Sequence, residues 1–233
     1  MTNPTITAFD WVPPVARGQV RDLRVRWALE EVGQPYDVRY LGLGEHKQPP
    51  HRARQPFGQV PTYEQDGLTL FESGAIVLHI AETYGKLLPQ NADGCARAIE
   101  WMFAALNSIE PTIMDLSFVT IFEADKPWSE MRRPAVEARI HGRLKDLSDR
   151  LGDKKWIDGE TFTAGDLLMV SVLRIIEGEG LVEAYDNLAA YMARGAARPG
   201  FQKALADQMA GFTGSPPPEF AAWLDKQKQG ETA

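Results

Sequence analysis

The segment from Gln55 to Gly85, QPFGQVPTYEQDGLTLFESGAIVLHIAETYG, holds the residues with the clearest chemical potential. Pro61 interrupts a predicted strand, and because proline lacks a ladder donor, we expect it at a sheet edge or in a special geometry. A cis bond there, which only about 5–6% of X-Pro bonds adopt, would turn the Val60 amide and carbonyl outward to pair with an extended peptide. Ser73 can cap the next helix and leave N–H groups for an anion. The segment therefore predicts a receptor for a small acidic peptide.

Alternating short strands and helices must position these groups. Apolar spacing and Gly/Pro stop signals define the elements of the first third of the chain. The predicted order is a strand at residues 5–9, a helix from Val20 to Gly33, a strand at 36–40, a strand pair around Val60 and Leu70 with a turn at Asp66-Gly67, and a helix closed by Gly85. One parallel crossover and one hairpin are the plan of an α/β thioredoxin-like domain.

The rest of the chain is predicted to be helical. Residues 86–94, KLLPQNADG, have the composition of a linker, and strand signals are missing beyond them. We predict a thioredoxin-like domain at 1–86, a linker at 87–94 and an all-α domain at 95–233. Two apolar stripes mark its helices: Ile99, Met102, Phe103, Leu106 and Ile109, with a bend near Pro111, and Ile140, Leu144, Leu147 and Leu151.

A third helix has a start signal of its own. Thr163 and Asp166 are spaced to satisfy each other's backbone donors, with Asp in place of the usual Glu. Phe162 and Leu167 are placed for a hydrophobic staple, and we interpret this segment as a folding element without a catalytic role. The tail from Ser215, SPPPEF followed by a Lys-, Gln- and Glu-rich helix, is expected to be an exposed appendage.

Composition excludes several classes of protein. The 233 residues are 44% hydrophobic and carry a net charge of −7, and Lys and Arg are scattered, which argues against nucleic-acid binding. No apolar run approaches the roughly 20 residues of a spanning helix, and the amino terminus lacks a signal-peptide core. A single cysteine, Cys95, excludes an internal disulfide, and the four histidines have no metal spacing. We expect a cytoplasmic protein without a metal.

Several motifs together resemble the cytosolic glutathione transferases. They are GEHK at 44–47, PFGQVP at 56–61, LFES at 70–73, FTAGD at 162–166, and the stretch from Asn187-Leu188 through Arg198-Pro199 to Leu205. The order and spacing of the first three are most similar to the phi class, with theta-like and bacterial relatives behind. The resemblance covers roughly residues 5–210. It implies glutathione as co-substrate, transfer of its sulfur to a small hydrophobic electrophile, and a homodimer.

The resemblance also implies a glutathione site. Its residues would be His46, Lys47, Gln59, Val60, Pro61, Glu72 and Ser73. Val60 would make paired backbone bonds to the cysteinyl part of the tripeptide. Ser73 and the helix N-terminus would hold the γ-glutamyl carboxylate, and Glu72 would face the amino group. A plain helix cap without ligand is the alternative for Ser73.

The glycine end of the tripeptide would meet a polar loop. Lys47, with His46 or Gln59 beside it, would neutralise the glycine carboxylate. Alternatively, Lys47 and His46 belong to a solvated face, and Gln59 only hydrogen-bonds within the loop. The sequence leaves both alternatives open.

The usual thiol-activating residue is missing. In the family, a Tyr, Ser or Cys near the start of the first helix donates a hydrogen bond to the glutathione sulfur. Here residues 11–21, WVPPVARGQVR, contain no hydroxyl and no thiol, and Gln19 takes the serine position of the phi pattern. We expect the Arg17 guanidinium and the amides around Gly18 and Gln19 to stabilise the thiolate. The alternative is that Arg17 is a surface charge.

The acceptor site is expected to be an apolar cleft. Its candidate lining residues are Trp11, Val15, Met114 and Phe118. A core role is the alternative for each of them, and the sequence does not distinguish halide, epoxide, alkene or peroxide acceptors. With no hydroxyl in the activating position, a second hypothesis is a catalytically weak binding protein for glutathione or apolar ligands. Phe57 is a candidate aromatic contact of the homodimer or a local core residue.

Overall fold

A computed structural model describes residues 2–218 and Phe220, which divide into two compact units. Unit 1 holds residues 2–76 and 203–218 with Phe220, and unit 2 holds Val77–Gln202. The carboxyl-terminal segment therefore belongs to the same unit as the first strand. No helix in the described ranges is both long and apolar enough to cross a bilayer.

Unit 1 is built on a four-stranded mixed sheet. The strands are β1 (Thr5–Phe9), β2 (Asp37–Leu41), β3 (Thr62–Gln65) and β4 (Leu68–Phe71), in the order β2-β1-β3-β4. β1 pairs parallel with β2 and antiparallel with β3, and β3 pairs antiparallel with β4. A helix between β1 and β2 makes the parallel crossover, and the β3–β4 hairpin completes the sheet. The predicted thioredoxin-like plan is confirmed.

The remaining regular elements are helices. The α-helices are α1 (Asp22–Val32), α2 (Pro49–Arg52), α3 (Ser73–Tyr84), α4 (Ala92–Phe103), α5 (Glu110–Ser117), α6 (Ser129–Leu151), α7 (Ala164–Leu173), α8 (Asp186–Ala196) and α9 (Pro199–Ala210). Short 3₁₀ turns lie at Pro14–Ala16, Glu45–Lys47 and Arg174–Ile176, and π-helical segments at Ala104–Ile109 and Phe118–Phe122. Helices therefore form the second unit, as predicted for this part of the chain.

The crossover helix α1 follows its sequence signals closely. Leu23, Trp27 and Val32 are all buried, so the apolar spacing marks the face that packs into unit 1. Gly33 ends the helix with φ +76, a left-handed conformation that glycine adopts without a steric penalty. The helix begins at Asp22, two residues later than Val20, where the apolar pattern starts.

The first helical stretch of unit 2 departs from its predicted stripe. Met102 and Ala105 are buried, whereas Phe103, which the pattern placed on the apolar face, is 60% exposed. A π-helical segment at Ala104–Ile109 follows α4 directly and widens the helix before Pro111. The buried face of this stretch runs through Ala98, Met102 and Ala105, and a stripe drawn through the large apolar residues does not predict a face that contains alanines.

The core of unit 2 confirms the other two helix predictions. The α6 stripe is at most 3% exposed at Ile140, Leu144, Leu147 and Leu151. At the start of α7, Thr163 and Asp166 form the predicted capping box. The buried Asp166 carboxylate also accepts hydrogen bonds from the Ile157 N–H and the Tyr191 hydroxyl, each at 2.9 Å. Burial raises the pKa of Asp166, and these hydrogen bonds oppose that shift.

The structure describes the whole predicted linker and part of the predicted tail. Helix α4 begins at Ala92, inside the predicted linker 87–94, and the Asn91 side chain caps it by accepting from the Gly94 N–H at 2.7 Å. The domain boundaries at 86 and 95 stay a prediction. The predicted tail helix falls on residues 221–233, which, like Glu219, lie outside the described residues.

Candidate functional site

The backbone at Val60 is an open hydrogen-bonding edge. The Val60–Pro61 bond is cis, and β3 begins after it at Thr62, between β1 and β4 in the sheet. Of the two alternatives predicted for Pro61, a sheet edge or a special geometry, the special geometry is confirmed. Pro61 lies just before β3, which is a central strand of the sheet. Within the described ranges, neither the N–H nor the C=O of Val60 hydrogen-bonds to the protein. Such unpaired groups suit the backbone of an extended peptide.

Hydrogen bonds hold the chain on both sides of this edge. After it, the Thr62 N–H donates to the Thr7 hydroxyl at 2.7 Å, and the two threonine hydroxyls are 3.0 Å apart. Before it, the His51 Nε2 atom lies 2.6 Å from the Gln59 carbonyl oxygen. Thr7, Thr62 and His51 are all buried. The edge is therefore fixed by the protein before any ligand arrives.

His51 is a site residue that the sequence analysis missed. A carbonyl oxygen only accepts, so the Nε2 atom must carry a proton. The Nδ1 atom of the same ring is buried and has no partner in the described part of the chain. The signal available in the sequence was the position of His51 on the short helix α2, eight residues before Gln59. Nothing in the spacing shows that its ring turns inward.

Lys47 lies at the turn that leads into the edge. Its ammonium donates to the Gly58 carbonyl at 2.8 Å. Gly58 has φ +59, and a Cβ there would lie 2.7 Å from the His46 carbonyl oxygen, so the turn requires glycine. The Gln59 side chain accepts from Gln55 at 3.3 Å, which supports its role within the loop. Lys47 itself is exposed, and its charge is available at this turn.

The His46 side chain packs and hydrogen-bonds within unit 1. Its ring packs edge-on against Phe9, with centroids 4.9 Å apart, and its Nδ1 accepts from the Gly44 N–H at 3.1 Å. Burial lowers the pKa of His46, and the nearby Lys47 and His51 lower it further. The lowered pKa favours the neutral form of the ring.

The start of α3 supplies the second part of the site. Ser73 is buried and is the first residue of the helix, and not the residue before it, as a cap would be. Its hydroxyl accepts from the Arg24 guanidinium at 3.4 Å. Glu72 is exposed and has φ +67, a left-handed conformation that is uncommon outside glycine and concentrates at functional sites. The turn places Ser73 next to the exposed Glu72 carboxylate.

The loop before α1 carries the predicted thiol activators. Arg17 is exposed, and its guanidinium lies 5.6 Å from the centre of the Phe212 ring. The Gln19 N–H donates to the Ala16 carbonyl at 3.1 Å, so this amide is already used within the loop. Gly18 is buried with φ +76. The loop thus presents the exposed Arg17 and Arg21 side chains, and the Gln19 amide belongs to a turn.

The predicted acceptor residues differ in exposure. In unit 1, Trp11 is 4% exposed and its ring packs against Phe220, whereas Val15 is 60% exposed. In unit 2, Phe118 is 46% exposed at the start of the second π-helical segment, and Met114 is half-buried on α5. The acceptor cleft stays a prediction. No group of three or more His, Cys, Asp or Glu side chains that could hold a metal occurs among the described residues.

Two family models match the chain. The model described as Glutathione S-transferase, N-terminal domain matches residues 15–82, and the model described as Glutathione S-transferase, C-terminal domain matches residues 113–208. The first match contains the Val60 edge and the start of α3. Together the two matches cover more than half of the chain.

Individual relatives agree with the models. The chain is 31% identical over 197 residues to a glutathione S-transferase of Hyoscyamus muticus, covering 78% of this chain and 92% of the relative. It is 35% identical over 158 residues to the glutathione S-transferase GstA of Escherichia coli O157:H7, covering 66% and 75%. A glutathione transferase structure from Burkholderia graminis, with two glutathione molecules bound per subunit, superposes with a TM-score of 0.77 at 26% identity, covering 87% of each chain. The predicted family is confirmed, and this chain belongs to the glutathione S-transferases.

Proposed function

We propose that the protein binds glutathione and transfers its sulfur to a small hydrophobic electrophile. The observation that carries the proposal is the N–H and C=O of Val60, which have no hydrogen-bond partner in the described part of the chain and are held by hydrogen bonds on both sides, in a chain of this family. The relatives are named glutathione S-transferases, and the Burkholderia graminis structure has glutathione bound. Glutathione is an acidic tripeptide, which is the ligand class that this edge suits.

The binding mode follows from the charges around the edge. Val60 pairs with the cysteinyl backbone of glutathione, as a strand pairs with a sheet edge. The Ser73 hydroxyl and the first N–H groups of α3 hold the γ-glutamyl carboxylate, because a helix start favours negative charge. Glu72 takes the neighbouring amino group. Lys47 takes the glycine carboxylate at the other end.

The chemistry requires the sulfur as a thiolate. Free thiols have a pKa of about 8.5, so only a few per cent is ionised at pH 7. With an aryl halide, the thiolate sulfur forms a bond to the ring carbon, the carbon–halogen bond breaks and the halide leaves with its electron pair. The thiol proton passes to solvent. Halides, epoxides, activated alkenes and peroxides all remain possible acceptors.

Binding, ionisation and turnover test the proposal in the parent protein. We expect glutathione to release or absorb heat on binding in calorimetry, and the thiolate absorbance of bound glutathione to titrate at least about one pH unit below 8.5. Conjugation of an activated aryl halide should follow the same midpoint. Binding without turnover over a panel of electrophiles would support the alternative, a binding protein with weak catalysis. No binding at millimolar glutathione would contradict both.

Ser73→Ala should weaken glutathione binding. The substitution removes one hydrogen bond to a carboxylate, a contribution of about 1.5–3 kcal/mol, which corresponds to a tenfold or greater rise in Kd. Ser171→Ala is the matched control, because its hydroxyl donates to the Leu167 carbonyl within α7. Calorimetry measures both variants. Equal affinity of parent and Ser73→Ala would show that Ser73 does not contact glutathione.

Arg17→Ala tests the proposed source of activation. We propose that the Arg17 charge lowers the thiol pKa, since a cation within a few ångströms favours the thiolate. The variant should shift the thiolate midpoint upward by up to about one unit, and 1 M salt should shrink the difference because Arg17 is exposed. Arg143→Ala, an exposed arginine of α6, is the control. An unchanged midpoint in Arg17→Ala would eliminate Arg17 but leave the transferase function standing.

We also propose a cytoplasmic homodimer, since the resemblance implies both. Phe57 is 60% exposed, with its ring centroid 6.2 Å from that of Phe71, and an exposed aromatic side chain is a candidate anchor for a subunit contact. Light scattering should give twice the mass of one chain for the parent. Phe57→Ala should lower it toward the monomer mass, whereas Phe122→Ala, equally exposed in unit 2, should not. A monomeric parent contradicts the proposal.

A further inference from the structure

Helix α1 begins without a capping side chain of its own. Arg21 precedes the helix with already helical angles, φ −66 and ψ −13, and makes no side-chain cap bond. The loop before it contains one regular turn, at Pro14–Ala16. Because the proposed activators at residues 17–19 lie on this loop, its geometry needs support from another part of unit 1.

Gln208 on α9 supplies that support. Its side chain is buried, and its Nε2 atom donates to the Val20 carbonyl at 3.0 Å and to the Asp22 carboxylate at 2.7 Å. Both partners are acceptors, so the side chain must turn its NH₂ group toward them. Its Oε1 atom is buried with no partner among the described residues. The two donated bonds therefore define the position of this amide.

Other residues of the same carboxyl-terminal segment also contact the loop before α1. Leu205 lies against Gly18, where an added Cβ would meet its Cδ1 atom at 3.3 Å. The Arg17 guanidinium lies over the Phe212 ring, and the Gly214 N–H donates to the Asp10 carbonyl at 2.9 Å. These contacts lie within unit 1 and run from the end of β1 to the start of α1. Gln208 provides the directional part of this support, because it is the residue that bonds to the first turn of α1.

Loss of the Gln208 hydrogen bond would leave the buried Asp22 carboxylate with one donor fewer. The same carboxylate also accepts from the Arg26 guanidinium at 2.7 Å, and both side chains are 2% exposed. Burial raises the pKa of Asp22, while Arg26 and Gln208 lower it. A buried carboxylate that loses a donor retains its desolvation penalty, so the first turn of α1 would have to shift to recover a partner.

We propose that Gln208 is a positioning residue for thiolate activation, which rests on the proposed glutathione-transferase function. By fixing the backbone at Val20 and Asp22, it keeps the segment 17–19 in one geometry relative to the bound sulfur. Misplacement by about 1 Å can reduce a rate roughly 100-fold. Gln208 does not itself touch glutathione in this proposal. Its removal should therefore change ionisation and turnover more than affinity.

The test compares two buried glutamines of the same unit. Gln208→Met keeps the side-chain length and removes both donated bonds. Gln65→Met is the control, because Gln65 is also buried and bonds to Tyr63 and the Thr2 carbonyl, away from the α1 loop. Thermal unfolding measures the stability of each variant. Thiolate absorbance of bound glutathione, kcat and KM for an aryl halide are then measured against pH.

We expect Gln208→Met to raise the thiolate midpoint by about one pH unit, with roughly a tenfold loss of kcat/KM below the midpoint and little change in glutathione Kd. Gln65→Met should lose similar stability and keep the parent midpoint. Gln208→Asn, which keeps the amide on a shorter stem, should give a smaller shift in the same direction and serves if the methionine variant does not fold.

Two outcomes would overturn the proposal in distinguishable ways. If the parent shows a lowered midpoint and the Gln208 variants share it, or if Gln65→Met shifts it equally, Gln208 has a folding role only and the transferase function stands. If the parent midpoint is not lowered, the proposal and the function fail together.

Discussion

The proposed glutathione site depends on a backbone edge that must stay open and yet not move. An unpaired N–H and C=O at Val60 would be free to pair with other strands or to relax inward if its neighbours were loose. Hydrogen bonds at Thr62 and His51 prevent this on the two sides, each worth about 1 kcal/mol net. Because the edge is ordered by the protein, a peptide that binds there need not supply that ordering free energy.

The features that the sequence predicted follow local rules. Gly33 ends α1 in the left-handed conformation that commonly terminates a helix, and the Thr163–Asp166 spacing makes a capping box within one turn. The sheet plan likewise follows from the order and length of its strands. Such rules connect residues a few positions apart, and they are visible in one sequence.

The features that the sequence did not predict are set by distant contacts. Gln208 bonds to Val20, 188 positions away, and no spacing rule connects them. His51 belongs to the site because its ring turns toward Gln59 rather than toward solvent. Phe103 is exposed because α4 buries the face that carries Ala98 and Met102 instead. In each case the composition of the segment is ordinary, and only packing decides the role.

The charged residues at the start of α1 affect the proposed stabilisation of the glutathione thiolate. A carboxylate near this helix start favours the helix, because it faces the positive end of the dipole, but it would raise the pKa of any thiol close to it. Asp22 is buried against Arg26 at 2.7 Å and receives the Gln208 amide, so its charge is compensated within the protein. Arg17 is exposed to solvent on the loop before α1. The loop can thus present a net positive field to a bound sulfur without a hydroxyl, provided that the Asp22 pair stays intact.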